Sequence, residues 1–156
     1  GVLSGITRDT GPQEVVRAII ESVAYQTYDL FESMKHDGLR PKLVKVDGGM
    51  VMNNWFSQFL SDIIDVKVLR PKVHETTALG AAFMAGLKIG VYKSLTDISK
   101  NWSLDRKFIP KIKKKTRKSL IKGWSIAIKR TLINWYNYRL YIFFLILTLH
   151  SYSEQL

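Results

Sequence analysis

The sequence contains no cysteine, so disulfide bonds, thiolate nucleophiles and thiolate metal sites are all excluded. Its histidines, His36, His74 and His150, are scattered, and we expect none of them to act as a ligand, acid or base. The N-terminus has neither an initiator methionine nor the charged and then apolar stretch of a signal peptide. We therefore predict a cytoplasmic location and expect the natural protein to extend upstream of Gly1.

The sequence also lacks an apolar run long enough to cross a membrane. Residues 140–149 are nearly all apolar, but this run is about half of the ~20 residues that a spanning helix needs. A longer span would have to include Asn134, Asn137 and Arg139, which are costly in lipid. We therefore regard a membrane partner as unfavoured. Residues 133–156 are predicted to be a separate aromatic and apolar tail, disordered or helical, that is prone to aggregation.

Acidic residues are scarce in one segment of this basic chain, whose net charge is +11. Residues 100–139 hold thirteen Lys and Arg against the single acid Asp105, whereas residues 1–99 hold eleven of each sign. Such a patch, over residues 111–130, could bind the phosphates of a nucleic acid or an anionic membrane, which is the last-ranked alternative. We nevertheless favour a solvated helix face and expect no nucleic-acid partner. Residues 113–132 form this predicted basic helix, because apolar residues recur there at four-residue steps: Leu120, Trp124, Ile128 and Leu132.

The first part of the sequence is typical of an α/β layer, in the order helix-strand-helix-strand-helix. A core-facing helix is predicted over residues 12–35 from apolar residues at three- and four-residue steps, namely Val16, Ile19, Ile20, Val23, Ala24, Leu30, Phe31 and Met34. Strands follow over 42–46 and 66–69, with helices from near Met50 and over 75–86. Four alanines, Ala78, Ala81, Ala82 and Ala85, predict close packing of the last of these helices, which Thr76 or Thr77 can cap.

Two further expectations concern the sheet and the segment that follows it. Two strands are too few for a parallel sheet that is buried on both faces, so we expect the remaining strands to precede Gly1. Residues 101–112 are predicted to be loop and short turns, anchored by Trp102 and Phe108.

The sequence Asp47-Gly48-Gly49 lies where the first predicted strand meets a helix. Without Cβ atoms, the two glycines would let a flat ligand lie against the backbone. Asn53, one turn into the predicted helix, would direct a carboxamide with both donor and acceptor into the same space. A purely structural turn, in which Asp47 caps the helix, explains the local pattern equally well. The motif alone therefore leaves nucleotide binding and turn formation open.

Several spaced motifs resemble those of the FGGY carbohydrate kinases. Residues 1–6 followed by 14–21 (EVVRAIIE) are similar to the second signature of that family. Residues 46–49 (VDGG) followed by Asn53-Asn54 and then 58–63 are similar to the glycerol kinases within it, as is Arg70-Pro71 followed by 75–82 (ETTALGAA). Pentulose kinases of the family are less similar, because they typically lack the two asparagines. The resemblance covers residues 1–132, which we predict to be part of the family's C-terminal domain.

This resemblance implies a fold and an activity. The family has two actin-like, ribonuclease H-like ATPase domains that close over a cleft, and a glycerol kinase transfers the γ-phosphoryl group of Mg-ATP to glycerol. Gly49 would then contact ATP or ADP through its backbone, Asn53 would hydrogen-bond the adenine end, and Gly48 would permit the turn. The missing N-terminal kinase domain, or a second copy of the chain, is the implied protein partner.

The sequence also departs from the family pattern. The phosphate-gripping turn, the catalytic aspartate, the metal ligands and the glycerol-binding groups of these kinases all lie upstream of the matching part. We therefore expect no catalytic residue in this chain, and interpret Asp47 as part of the turn and Asp62 as a helix-surface or supporting acid. The predicted function is the ATP-binding part of a glycerol kinase, inactive alone. Alternatives are a fragment of another FGGY sugar kinase and a non-enzymatic remnant.

Overall fold

The computed structural model describes residues 2–133, and the predicted tail over 133–156 lies outside them except for Ile133, which ends the last helix. The order of the elements confirms the predicted helix-strand-helix-strand-helix arrangement, followed by a basic helix. The elements are α1 (Pro12–His36), β1 (Leu43–Lys45), a 3-10 helix (Gly49–Met52), α2 (Asn54–Ile64), β2 (Lys67–Pro71), α3 (Thr76–Lys88), α4 (Leu95–Ser99), β3 (Leu104–Phe108) and α5 (Lys114–Ile133).

The three strands form one mixed sheet in the order β1-β2-β3. β1 and β2 are parallel, with Val44 opposite Val68, whereas β3 is antiparallel to β2, with Phe108 opposite Val68. The prediction that residues 101–112 form only loop and turns was therefore wrong. β3 lacks the apolar alternation of a half-buried strand because only Phe108 among its five residues is buried.

α1 and α2 pack together, and α2 also packs against the sheet, around a core to which α2 contributes five residues and α1 three. The buried apolar residues are Ala24, Tyr25, Phe31, Val51, Phe56, Phe59, Leu60, Ile63, Ile64, Val66, Val68 and Phe108. Two serines of α2 are fully buried within this core. The Ser57 hydroxyl donates to the Val51 carbonyl at 2.7 Å, and the Ser61 hydroxyl donates to the Val66 carbonyl at 2.8 Å. Both hydroxyls are therefore satisfied, which avoids the cost of a buried unpaired donor.

α1 is confirmed as a helix that begins at Pro12, and Gly38, two residues beyond its end, has a positive φ of 85°. The prediction that its whole apolar series faces the core was wrong. Val16, Ile19 and Leu30 each expose more than half of their surface. At 1.5 Å per residue, 25 residues extend about 37 Å, which is longer than the three-stranded layer that could cover them.

α3 is also less covered than its composition predicted. All four of its alanines are exposed, and Gly86 is its one buried residue, so the expected close packing is not found within the described residues. The Tyr92 ring fills the space that a Cβ atom on Gly86 would occupy and contacts Phe83 edge to face. The N-cap is Glu75 rather than a threonine, because Thr76 is already the first helical residue and its hydroxyl bonds elsewhere.

α5 packs across α1 and the C-terminal end of α2. The Trp124 ring stacks on Tyr25 with 5.4 Å between centroids, and its Nε1 donates to Asp29 Oδ2 at 2.7 Å. Arg117 forms an ion pair with Asp65. Leu120 and Trp124 contact the core as predicted, but the later members of the stripe, Ile128 and Leu132, are exposed because α5 extends beyond its neighbours.

Candidate functional site

The candidate site lies where the carboxyl ends of the parallel strands β1 and β2 meet. The Val46 amide donates to the Leu69 carbonyl at 3.0 Å, which continues the ladder by one residue. The Gly48 amide then donates to the His74 carbonyl at 3.2 Å. This bond joins the loop after β1 to the loop after β2. Ligands in open α/β sheets bind at this carboxyl edge.

Gly48 and Gly49 make different contributions to the turn. Gly48 has φ = +88°, a conformation that residues with a Cβ atom rarely adopt, so the chain requires glycine there. Gly49 has no positive φ and begins the 3-10 helix. A Cβ atom built at either position meets no atom within 4 Å. Both glycines therefore border open space, and a flat group could approach their backbone.

Asn53 is the N-cap of α2, not a residue one turn into the helix as predicted. Residues 49–52 form a 3-10 turn instead, which the Asn53 amide closes by donating to the Met50 carbonyl at 3.2 Å. Asn53 Oδ1 accepts from the amides of Trp55 at 2.9 Å and Phe56 at 3.2 Å. The side chain is exposed, and its Nδ2 group makes no hydrogen bond to residues 2–133. The acceptor is thus used in capping and the donor is available.

Asp47 does not cap α2, so that structural alternative was wrong in its detail. Its carboxylate accepts a hydrogen bond from the Thr76 hydroxyl at the start of α3. The interpretation of Asp47 as part of the turn agrees with this contact. Together with the bond from Gly48 to His74, it attaches the glycine turn to the β2–α3 connection at two points.

Arg70 supports the same turn through hydrogen bonds to the 3-10 helix that follows it. The sequence did not reveal this role. The residue is only 6% exposed, and its Nη1 donates to the carbonyls of Val51 at 2.8 Å and Met52 at 3.1 Å. Its Nε donates to Asp105 Oδ2 at 2.7 Å. The available signal was a basic residue between Leu69 and Pro71 in a strand that is otherwise largely buried. Arg70 thus connects β3 to the 3-10 helix after Gly49.

The remaining titratable residues that the sequence singled out are Asp62 and the histidines. Asp62 Oδ1 accepts from the amides of Lys111 at 2.6 Å and Ile112 at 3.3 Å, so this acid supports the segment that enters α5. No group of three or more His, Asp or Glu side chains in the described part of the chain could hold a metal ion. His36 is exposed, His74 Nδ1 is buried without a hydrogen bond, and His150 lies outside the described residues.

An open apolar groove of about 450 Å³ lies between the start of α1 and Trp55, and its lining includes Pro12, Val16 and Ile20. Its lining includes none of Gly48, Gly49 and Asn53.

Among residues 2–133, no helix is long and apolar enough to cross a bilayer.

Comparison with known proteins identifies related chains. Residues 1–89 match the family model of the C-terminal domain of the FGGY family of carbohydrate kinases. The chain is 52% identical over 130 residues to glycerol kinase 1 of Pseudomonas aeruginosa, covering 83% of this chain and 26% of that protein. It is 47% identical over 133 residues to the glycerol kinase of Gluconobacter oxydans, covering 85% of this chain and 26% of the relative. It therefore spans about a quarter of the length of these relatives.

Solved structures agree with the fold. The glycerol kinase of Plasmodium falciparum, solved with ADP, superposes with a TM-score of 0.69 at 37% identity, covering 82% of this chain and 26% of that one. A xylulose kinase of Lactobacillus acidophilus superposes with a TM-score of 0.64 at 21% identity, covering 83% of this chain and 26% of that one, and supports the fold alone. The α/β architecture is thus that of an actin-like, ribonuclease H-like ATPase domain. The chain belongs to the FGGY family of carbohydrate kinases and corresponds to part of its C-terminal domain.

Proposed function

We propose that this chain is the nucleotide-binding part of the C-terminal domain of a glycerol kinase, the enzyme that phosphorylates glycerol with ATP. The proposal takes its reaction from the glycerol kinases that are about half identical to the chain. It includes ATP and glycerol as the substrates of the whole enzyme, the upstream kinase domain or a second copy as protein partner, and the cytoplasm as location. The whole domain assignment, residues 1–132, is part of the same proposal.

The observation that carries the proposal is the open backbone at Gly49 beside the available Nδ2 donor of Asn53. The bond from the Asn53 amide to the Met50 carbonyl keeps this side chain one tight turn away from Gly49. An adenine nucleotide could lie against the Gly49 backbone while Asn53 Nδ2 donates to a ring nitrogen of the base. Gly48 serves this site by adopting the positive φ that brings Gly49 to the surface.

The proposed role is binding and positioning of one end of ATP. Phosphoryl transfer depends on positioning and on charge stabilisation around the γ-phosphate. No cluster of three or more candidate metal ligands exists among residues 2–133, so Mg²⁺ would arrive on the nucleotide phosphates. We accordingly expect the chain alone to give no measurable turnover with ATP, Mg²⁺ and glycerol. Turnover that a Gly49→Val change abolishes would contradict this.

Nucleotide binding is tested by the thermal stability of the chain at increasing ADP. A ligand that binds only the native state stabilises it, by about 2.7 kcal/mol at a concentration of 100 Kd. Asn53→Ser is the informative variant, because serine is an equally good N-cap but lacks the amide donor. We expect its stability without ADP to match the wild type and its ADP affinity to fall.

Asn54→Ser is the matched control, since Asn54 is exposed and makes no side-chain hydrogen bond within residues 2–133. Gly49→Ala provides a second test, because its Cβ meets no protein atom but would enter the space assigned to the nucleotide. Wild-type affinity in both Asn53→Ser and Gly49→Ala would refute the site.

A non-enzymatic remnant is the second candidate, and the exposed apolar residues Val16, Ile19 and Leu30 favour it. This candidate predicts a melting transition of low cooperativity that ADP does not shift. A sharp transition that ADP raises would eliminate it.

A further inference from the structure

Helix α5 carries a row of cations on its solvent side and contains no acidic residue. Leu120 and Trp124 define the opposite side, which contacts the core. At 3.6 residues per turn, the six exposed cations lie within about 160° of the helix circumference and extend over about 24 Å. We call this surface the cationic face; it comprises Lys114, Lys115, Lys118, Lys122, Lys129 and Arg130.

The charges of the cationic face are not compensated within the described part of the chain. The ion pairs found among residues 2–133 involve other cations: Arg17, Lys35, Arg70, Lys100 and Arg117. Only Asp105 is acidic between residues 100 and 139, and Arg70 holds it. A charged row of this length therefore faces solvent with no protein counter-charge in the described residues.

The arrangement works against the stability of the helix itself. Lys114, Lys118 and Lys122 follow one another at four-residue steps, where like charges repel. Lys114 and Lys115 lie in the first turn of α5, where the helix dipole disfavours positive charge. Helix formation alone therefore does not account for this placement, whereas a polyanionic surface would relieve both repulsions.

We propose that the cationic face of α5 docks on an anionic lipid bilayer surface. A band of cations along one side of a helix matches the extended array of phosphates and carboxylates on a lipid surface. Five of the six cations are lysines, which act as point charges, and the helix has no Asn or Gln with which to read bases. These features favour a bilayer over a nucleic acid.

Exposed apolar side chains at the same surface support a helix that lies in the interface plane. Ile126, between the cations, is 41% exposed, and Leu132 is 50% exposed. Basic helices with apolar side chains bind membrane interfaces in this way without crossing the bilayer. The proposal revises two sequence-based expectations, that this helix face is merely solvated and that a membrane partner is unfavoured. It is independent of nucleotide binding.

The experiment is flotation of the full chain with two kinds of vesicle, one of phosphatidylcholine and one with a third of its lipid replaced by phosphatidylserine. The test variant carries Lys114→Gln, Lys118→Gln and Lys122→Gln, and the charge-matched control carries Lys42→Gln, Lys88→Gln and Lys93→Gln at exposed sites outside α5. Far-UV circular dichroism verifies that each variant folds.

We expect binding only to the phosphatidylserine vesicles, a loss of binding at 1 M salt, and an affinity on the order of 100-fold weaker in the test variant but not in the control. A chain that ends at Ile133 should also bind the phosphatidylserine vesicles in preference to the phosphatidylcholine vesicles. Equal binding to both vesicles, an unchanged test variant, preference for a DNA duplex over vesicles, or no binding would each overturn the proposal.

Discussion

The Thr76 hydroxyl donates a hydrogen bond to the Asp47 carboxylate, across 29 residues of sequence. Asp47 follows the first strand and Thr76 begins the helix after the second, so the contact closes the carboxyl edge of the parallel pair. With the bond from the Gly48 amide to the His74 carbonyl, it holds the glycine turn against α3. The turn that is proposed to receive the nucleotide is thus positioned by residues outside the turn.

Thr76→Val tests this support, because it removes the hydroxyl at nearly constant volume. We expect a loss of about 1 kcal/mol or less in unfolding free energy, since both groups are partly solvated, together with weaker ADP binding. Urea unfolding and calorimetric titration measure the two effects. Thr77→Val is the control, because Thr77 is exposed and makes no side-chain hydrogen bond within residues 2–133. Equal changes in the two variants would contradict the positioning role.

Arg70→Met should be among the more destabilising single changes in the chain. It leaves the Met52 carbonyl and Asp105 without a side-chain partner, and the Val51 carbonyl keeps only the Ser57 hydroxyl. Each buried acceptor that loses its partner costs about 1–3 kcal/mol, so we expect a total loss of about 3 kcal/mol. Asp105→Asn should cost less, about 1 kcal/mol, because asparagine keeps an oxygen that can accept from Arg70 Nε and because the lost charge is on a side chain that is 38% exposed. Urea unfolding gives both values, and a loss from Asp105→Asn as large as that from Arg70→Met would refute this assignment.

Asp62→Ala should destabilise the entry to α5 without affecting nucleotide binding. It removes the acceptor of the Lys111 and Ile112 amides and costs about 1–3 kcal/mol, while Asp62→Asn keeps an acceptor oxygen and should cost less. Hydrogen exchange at those two amides reports the effect directly. Unchanged exchange in Asp62→Ala, or a selective loss of ADP affinity, would show that Asp62 has another role.

Tyr25 should make the fold sensitive to alkali. Burial, and to a lesser degree the nearby Glu21 carboxylate, raises the pKa of Tyr25 above its ordinary value of about 10. The folded state therefore holds this proton more tightly than the unfolded state does. The resulting stability is complete below about pH 10 and is lost as the pH rises towards the higher folded pKa.

Urea unfolding between about pH 8 and pH 11 measures this loss. Tyr25→Phe should lower the slope of stability against pH, because phenylalanine does not titrate. Lysines titrate in the same range, so the difference between the two proteins is the relevant quantity. Identical slopes would refute the assignment.

The sequence predicted the long helices and the two parallel strands, because apolar period and turn residues are local properties. β3 was missed since an exposed edge strand has no apolar alternation, and its pairing depends on β2, which is distant in sequence. The sequence analysis also assigned too much of the apolar side of α1 to the core, for a similar reason. Periodicity identifies the apolar side of a helix, but not how much of it a neighbour covers.

The sequence by itself determined the family, the α/β order and the identity of Gly48, Gly49 and Asn53 as candidates, because motif spacing survives without coordinates. Only the tertiary structure decided that Asn53 caps α2 through Oδ1, that Thr76 rather than α2 engages Asp47, and that Arg70 supports the turn. It also placed six cations of the 100–139 segment on one side of α5. These contacts depend on the folded path of the backbone, because it brings together groups that are far apart in the chain or places them on one side of a helix.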